Sequence, residues 1–289
     1  MIKKGFSYIG IFFLHLLSLL PLPLLQILSS ACYYPVYYII QYRKKIVRKN
    51  LTRSFPTKDM TEIIKIEKRY YRYFIDLILE IVKMSSISKK EVLKRVKMNN
   101  FNQVEEYFRQ GQSALACSGH YGNWEMAMLA AGLYFSAKEY VIYKPINNSI
   151  FEGWFNRLRT RYGNILLPMR QTLRQIVATK DQITLFCLAS DQSPVREEVQ
   201  YTLEFLHQPT AVLMGLEKLA KQTNRPVFYF DIKRVKRGYY EIDCVPMCTN
   251  PATAQLYEIT QLFYEKLSQS IQRDPEYWLW SHNRWKLNN

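Results

Sequence analysis

Ser113 to Leu133 reads SALACSGHYGNWEMAMLAAGL, and its order of residue types admits few folds. An unbroken apolar run, Ala114 to Cys117, stops at Gly119. A polar turn carrying His120, Gly122, Asn123 and Glu125 follows, and an apolar helical pattern then runs from Met126 to Leu133. An apolar run without alternation suits a strand covered on both faces, so this stretch predicts a buried strand, a tight turn and a helix start. The same grammar recurs downstream. Strand candidates lie at 139–143, 183–188 and 226–232, with another at 239–245 after the Gly238 turn. Helical patterns fall at 123–133, 149–162, 170–179 and 210–223, and Tyr257 to Ile271 forms a closing helix. Alternating strands and helices predict an α/β fold with a mixed, mostly parallel sheet flanked by helices. Ligands in such sheets gather at the carboxyl ends of the strands. His120, Lys144 and Asp191 each follow a strand candidate directly.

Residues five apart on a regular helix point roughly 140° away from each other. His120 and Glu125 therefore meet only if His120 lies in the turn and Glu125 in the first helical turn. A histidine oriented by a carboxylate is a general base able to take a hydroxyl proton near neutral pH. The plainer reading is a solvent-facing loop histidine and a glutamate placed for the helix dipole. Asp191, with Gln192, follows the apolar run ITLFCLAS and either serves a site or caps the next helix. Ser118 precedes His120 by two residues, but CSGHYG is not a nucleophile elbow.

Residues 5–40 carry no formal charge, and Pro21 and Pro23 interrupt them. Gly5 to Leu20 falls slightly short of the roughly 20 apolar residues that a spanning helix needs. Residues 1–41 are expected to form an N-terminal membrane-anchoring helical segment, either one tilted transmembrane helix or a helix pair in one leaflet. No small-x-small cleavage site follows, which disfavours a signal peptide. His15 within the run is expected to be neutral and to face protein. Arg43, Lys44, Lys45, Arg48, Lys49 and Arg53 follow directly. Such a cluster stays on the cytoplasmic side, so the α/β domain is expected on the cytoplasmic face of a membrane. Residues 42–112 read as a basic and amphipathic helical segment, with a helix over 61–83 and one or two short helices over 85–111. Residues 113–289 form the α/β core.

The chain has 289 residues and a formal net charge of +16, which suits nucleic acid, anionic membrane or an acidic protein. No zinc-finger, RNP or helix-turn-helix signature accompanies the charge, which argues against nucleic acid. The five cysteines are irregularly spaced, and Cys117 and Cys187 sit in apolar runs, as buried free thiols do in a reducing compartment. Cys244 and Cys248 lack the spacing of a zinc site. No metal and no cofactor are expected.

Several ordered motifs together resemble one family. SGHYGNWE resembles the HxxxxD/E box of membrane acyltransferases, in the form carried by the late (lauroyl/myristoyl-type) acyltransferases of lipid A biosynthesis. YRKKIVRKNLTRSFP (Tyr42 to Pro56) is similar to that branch's basic, Asn-Leu, Phe-Pro segment. YKPINN (Tyr143 to Asn148) resembles its Y-R-P-x-x-N box, and Arg159 and Arg161 stand where it carries R-x-R. Ala189 to Gln192 resembles its D-Q or D-H box, and EYWLWSHNRWK (Glu276 to Lys286) its C-terminal W-x-H-x-R-[FW]-K signature. The resemblance covers nearly the whole chain.

The resemblance implies a glycerolipid acyltransferase-like fold and transfer of a fatty acyl chain from acyl carrier protein to a hydroxyl of a lipid A precursor in the membrane. It also implies that this membrane is the bacterial inner membrane. His120 would be the general base and Glu125 the carboxylate that orients it. Lys144, Asn148, Arg159, Arg161, Asp191 and Gln192 would bind substrate. The paired arginines either hold a phosphate or the developing oxyanion, or form a solvated helix face. Lys144 replaces the family's arginine and loses its planar fork. Leu206-His207 replaces a Phe-Gly pair, and His207 is not read as catalytic. His282 is expected to make a structural hydrogen bond. Trp278, Trp280, Trp285 and Arg284 suit either a substrate wall or core packing. Other readings are a lysophospholipid, aminolipid or glycolipid acceptor, acyl-CoA as donor, an esterase, or a non-catalytic membrane lipid-binding protein.

Overall fold

The computed structural model describes residues 2–288. Four helices come first: α1 (Ile2–Leu19), α2 (Leu22–Tyr34), α3 (Lys44–Ser54) and α4 (Met60–Lys83), with a π-helical turn at Pro35–Ile40. Then come α5 (Lys89–Arg95), β1 (Val96–Asn99), α6 (Phe101–Arg109), β2 (Ala114–Ser118), α7 (Trp124–Tyr134), β3 (Lys138–Tyr143), α8 (Ser149–Arg159) and β4 (Ile165–Pro168). The remainder comprises α9 (Thr172–Ala178), β5 (Thr184–Ala189), β6 (Thr202–Phe205), β7 (Gln208–Ala211), α10 (Gly215–Thr223), β8 (Val227–Lys236), β9 (Tyr239–Cys248) and α11 (Glu258–Arg273).

Seven strands form one sheet in the order β1-β9-β8-β2-β5-β3-β4. Within it only β8 and β9 pair antiparallel, as a hairpin around Gly238, so the expected mixed and mostly parallel α/β sheet is what forms. The central strands β2 and β5 are apolar on both faces because helices cover both, and all five residues of β2 are buried. β2 pairs with β5 on one side and β8 on the other, and the chain leaves it for β3 beyond β5. Ligands of such sheets gather in the crevice at the carboxyl ends of these strands. Three parts of the fold depart from the sequence reading, the first being β4, an edge strand beside β3 where none was expected. β1, inside the stretch expected to be helical, adds an edge strand beside β9. The expected helix over 210–223 starts only at Gly215, because Gln208–Ala211 pairs with β6 as a separate hairpin. Its two-residue turn, Leu206-His207, has both φ angles positive (50° and 60°), so the turn forms without the expected glycine.

The N-terminal expectation is corrected. Among the described residues no helix is long and apolar enough to cross a membrane. Helix α1, at 18 residues, extends about 27 Å, below the roughly 30 Å of a hydrocarbon core. Pro21 separates it from α2. One face of the uncharged run packs on protein, while Phe12, Phe13, Ile27 and Ile39 on it stay exposed. Leu22, Leu25, Tyr33 and Tyr37 are buried in the core beside α4 residues. Tyr37 donates to Glu67 (2.8 Å), Ser29 donates to Asp76 (2.6 Å), and Lys83 donates to the carbonyl of Ser18 (2.8 Å). The sequence reading allows either a spanning helix or a helix pair in one leaflet. The spanning form of the anchor, and the membrane-bound enzyme and inner-membrane location so far as a span was to supply them, are corrected by these helices.

The basic segment after it also has work inside the fold. Arg48 pairs with the buried Glu67, and Arg43 donates to the carbonyl of Ser281 (3.0 Å). Asn50, on α3 and 3% exposed, donates to the carbonyls of Trp280 and His282, both at 3.0 Å. Phe55 lies against the Trp280 ring at 5.9 Å. This clasp fixes the C-terminal segment over the sheet. Replacing Asn50 by Ala strips the Trp280 carbonyl of its donor, leaves that of His282 with the Arg284 N–H alone, and should destabilise the protein by about 1–3 kcal/mol. Urea denaturation of the variant beside wild type measures it.

Candidate active site

Strand register places the first two residues of the site. β2 and β5 run parallel with Ser118 opposite Ala189. Two residues beyond each strand end stand His120 and Asp191, side by side at the head of the crevice. The imidazole donates from Nδ1 to Asp191 Oδ1 at 2.6 Å, and the backbone N–H of His120 donates to Oδ2 at 2.8 Å. Gly119 makes this approach possible. A Cβ there would stand 2.5 Å from Leu267 Cδ1 and 3.3 Å from Asp191 Oδ2. Gly122, at φ 54°, closes the turn where a Cβ would meet Ile232 at 2.6 Å. Asn123 then caps α7, accepting from the Met126 N–H at 2.9 Å while donating to the buried Glu80 at 2.7 Å.

The C-terminal segment supplies the third donor. Trp278 Nε1 donates to Asp191 Oδ2 at 2.8 Å, so this 3%-exposed carboxylate accepts from two side chains and one backbone amide. The same segment pairs with the turn backbone: Leu279 N–H donates to the carbonyl of His120 (3.0 Å), and Gly122 N–H donates to that of Tyr277 (2.9 Å). Burial pushes the Asp191 carboxyl up, but the charge and hydrogen bond of His120 and the other two donors hold it well below the carboxylate range. Burial pushes His120 down, yet Asp191 outweighs it, with help from the charge of Glu125, and holds the imidazole above its ordinary value.

The other ring nitrogen faces outward. Gln192 Nε2 donates to His120 Nε2 at 3.2 Å, a bond that requires a lone pair on Nε2 and the proton on Nδ1. The imidazole is 18% exposed and lies edge-on to Trp124 at 5.0 Å. A buried carboxylate on one nitrogen and an accessible lone pair on the other is the arrangement of a general base.

Glu125 stands nearby with a different partner. Arg159 grips its carboxylate with both Nε (2.7 Å) and Nη2, and Glu125 makes no hydrogen bond to the imidazole among the described residues. The carboxylate that orients His120 is Asp191, expected from the sequence only as a substrate contact. Glu125 and Arg159 still lie close enough for their charges to act on the ring. Arg159 is backed by Glu152, which accepts from Tyr143 Oη at 2.7 Å and from the Ile146 N–H at 2.9 Å.

The remaining expected residues lie apart. Arg161 donates to the carbonyl of Met84 at the end of α4. Asn148 caps α8, accepting from the N–H groups of Ile150 and Phe151, and donates to Ser7 on α1 (3.3 Å). Lys144 is exposed at the end of β3, and no contact joins it to the dyad. Arg284 is buried against Tyr264 and the carbonyl of Ala211, which is core packing. His282 accepts from the Ser193 N–H at 3.3 Å, and burial lowers it to about 4. Trp278 was legible in the sequence only as an aromatic of undecided role. The expected acyl-carrier-protein donor and membrane contact are corrected too: no feature of the described residues identifies a carrier, and no helix among them crosses a membrane.

The family model described as bacterial lipid A biosynthesis acyltransferase matches residues 1–287 of this chain. The chain is 22% identical to the lipid A biosynthesis palmitoleoyltransferase of Escherichia coli (strain K12), over 97% of this chain and 90% of the relative. A lipid A biosynthesis acyltransferase of Shigella flexneri is similar to the same extent.

His282 gives a pH signature. Its folded value of about 4 lies below the ordinary 6.5, so the unfolded chain takes up the proton first. This group therefore removes stability as pH falls from about 6.5 to about 4 and adds nothing above that window. Urea denaturation at both ends of the window should show a smaller acid-side loss for His282→Gln than for wild type.

Proposed function

The chain belongs to the bacterial lipid A biosynthesis acyltransferase family, and we propose that it transfers a fatty acyl chain from a thioester donor to a hydroxyl of a lipid A precursor. The observation that carries this reading is the His120–Asp191 pair, with one imidazole nitrogen bonded to a buried carboxylate and the other carrying an accessible lone pair. The names of the relatives support the acceptor class.

The acceptor hydroxyl displaces the long bond from Gln192 and approaches His120 Nε2. Its oxygen attacks the thioester carbonyl as its proton passes to Nε2, and Asp191 stabilises the imidazolium. The tetrahedral intermediate collapses, the C–S bond breaks, and the imidazolium returns the proton to the departing thiolate. Products are an ester and a free thiol. No covalent enzyme intermediate is needed, because donor and acceptor are held together and proximity lowers the barrier. Arg159, held by Glu125 on the rim of the dyad, is the group suited to an anionic part of either substrate.

The test is acceptor-dependent release of thiol from a long-chain acyl thioester, with the acylated lipid A precursor identified by mass. His120→Ala should lower the rate by about 10²- to 10⁴-fold. The wild-type rate should rise as pH climbs through the raised value of His120, because only the neutral ring accepts the proton. Thiol release with no acylated acceptor, or an undiminished rate in His120→Ala, would overturn the proposal.

A further inference from the structure

A second site lies away from the dyad, in a cleft of about 550 Å³ between α2, α4 and the β8–β9 hairpin. Four cationic side chains line it, Arg72, Arg234, Lys236 and Arg237, against the single carboxylate of Asp76. None of the dyad residues takes part. Asp76 is already saturated: Ser29 donates to it at 2.6 Å, Arg234 at 2.7 Å, and Arg237 from Nε at 3.0 Å. That leaves an excess of positive charge facing an open volume. The Arg234 side chain is only 9% exposed, and its Nε–H has no hydrogen-bond partner among the described residues. Arg72 lies by the ring face of Tyr33 at 5.0 Å and Lys236 by that of Tyr239 at 4.2 Å, and neither forms an ion pair with a carboxylate among the described residues.

Arg72, Lys236 and Arg237 are exposed and Arg234 lies deeper, so an anion entering the cleft meets an excess of positive charge. Ser29, Ser30 and Arg237 spend their donors on Asp76 and Gln26, so the groups left for a phosphate are the planar Arg72 guanidinium and the Lys236 ammonium, and the volume falls within the range of small-molecule pockets. We propose that this cleft is a binding site for a phosphate group, either inorganic phosphate or the phosphate of a small phosphomonoester. The site also touches the catalytic frame. Tyr277 forms one wall, with the Arg234 guanidinium 5.5 Å from its ring, and its carbonyl accepts from Gly122 in the catalytic turn.

The test is calorimetric titration of the full chain at fixed ionic strength with inorganic phosphate, glycerol 3-phosphate and neutral glycerol. The variant is the double substitution Arg72→Gln with Lys236→Gln. It leaves the Asp76 ion pairs in place, and circular dichroism with the ligand-free unfolding temperature checks its fold. Saturable binding of a phosphate probe, weakened about tenfold or more in the double variant, is the expected result. Equal binding of both phosphates identifies a free-anion site, and tighter glycerol 3-phosphate identifies an ester site. The variant removes two charges from a net +16, so diffuse attraction would barely change. Binding that is undiminished in the variant, equal binding of glycerol, or no saturable binding of either phosphate would overturn the proposal.

Discussion

The site depends on one buried carboxylate. Asp191 cannot stay ionised at 3% exposure unless its oxygens are filled by donors, because removing a charge from water costs several kcal/mol. Three donors converge on it from separate parts of the chain: the ring and backbone of His120 beyond β2, and the indole of Trp278 near the C-terminus. The same hydrogen bonds that make the charge tolerable fix the ring, its tautomer and the segment above it. Stability and chemistry are here one set of contacts, so weakening the carboxylate would loosen the base as well.

A second shell of contacts holds those donors. Trp278 is where it is because the C-terminal segment is hydrogen-bonded to the catalytic turn on one side and clasped by Asn50 and Arg43 on the other. Helix α4 carries both Tyr73, which donates to the carbonyl of Gly122, and Glu80, which accepts from the helix cap Asn123. The N-terminal helices lie against the same α4. Lack of charge in residues 5–40 reads as membrane anchor when taken alone, but Tyr37 and Ser29 along it meet Glu67 and Asp76 on α4. A polar partner on a distant helix leaves no trace in local hydropathy.

What was legible in the sequence follows the same division between local and distant. The strand, turn and helix around His120 were readable because apolar runs, glycines and a helix start are local signals. The crevice was readable too, since His120 and Asp191 each follow an apolar strand. Their pairing was not, because it joins residues 71 apart through a register that periodicity does not encode. The nearer carboxylate, Glu125, attracted the role, while its actual partner, Arg159, lies 34 residues away on α8. The strands that escaped notice, β1, β4, β6 and β7, have four residues each, too few for alternation to stand out.

The most direct measurement is an NMR titration of the His120 ring nitrogens in wild type, Asp191→Asn and Glu125→Gln. Removing the bonded charge should lower the titration point furthest in Asp191→Asn, below the ordinary 6.5, since burial, the largest cause, is then opposed only by the unbonded charge of Glu125. Glu125→Gln should lower it less. Above the titration point the wild-type ring should carry its proton on Nδ1. A titration point unmoved in Asp191→Asn but collapsed in Glu125→Gln would contradict the account and return the orienting role to Glu125.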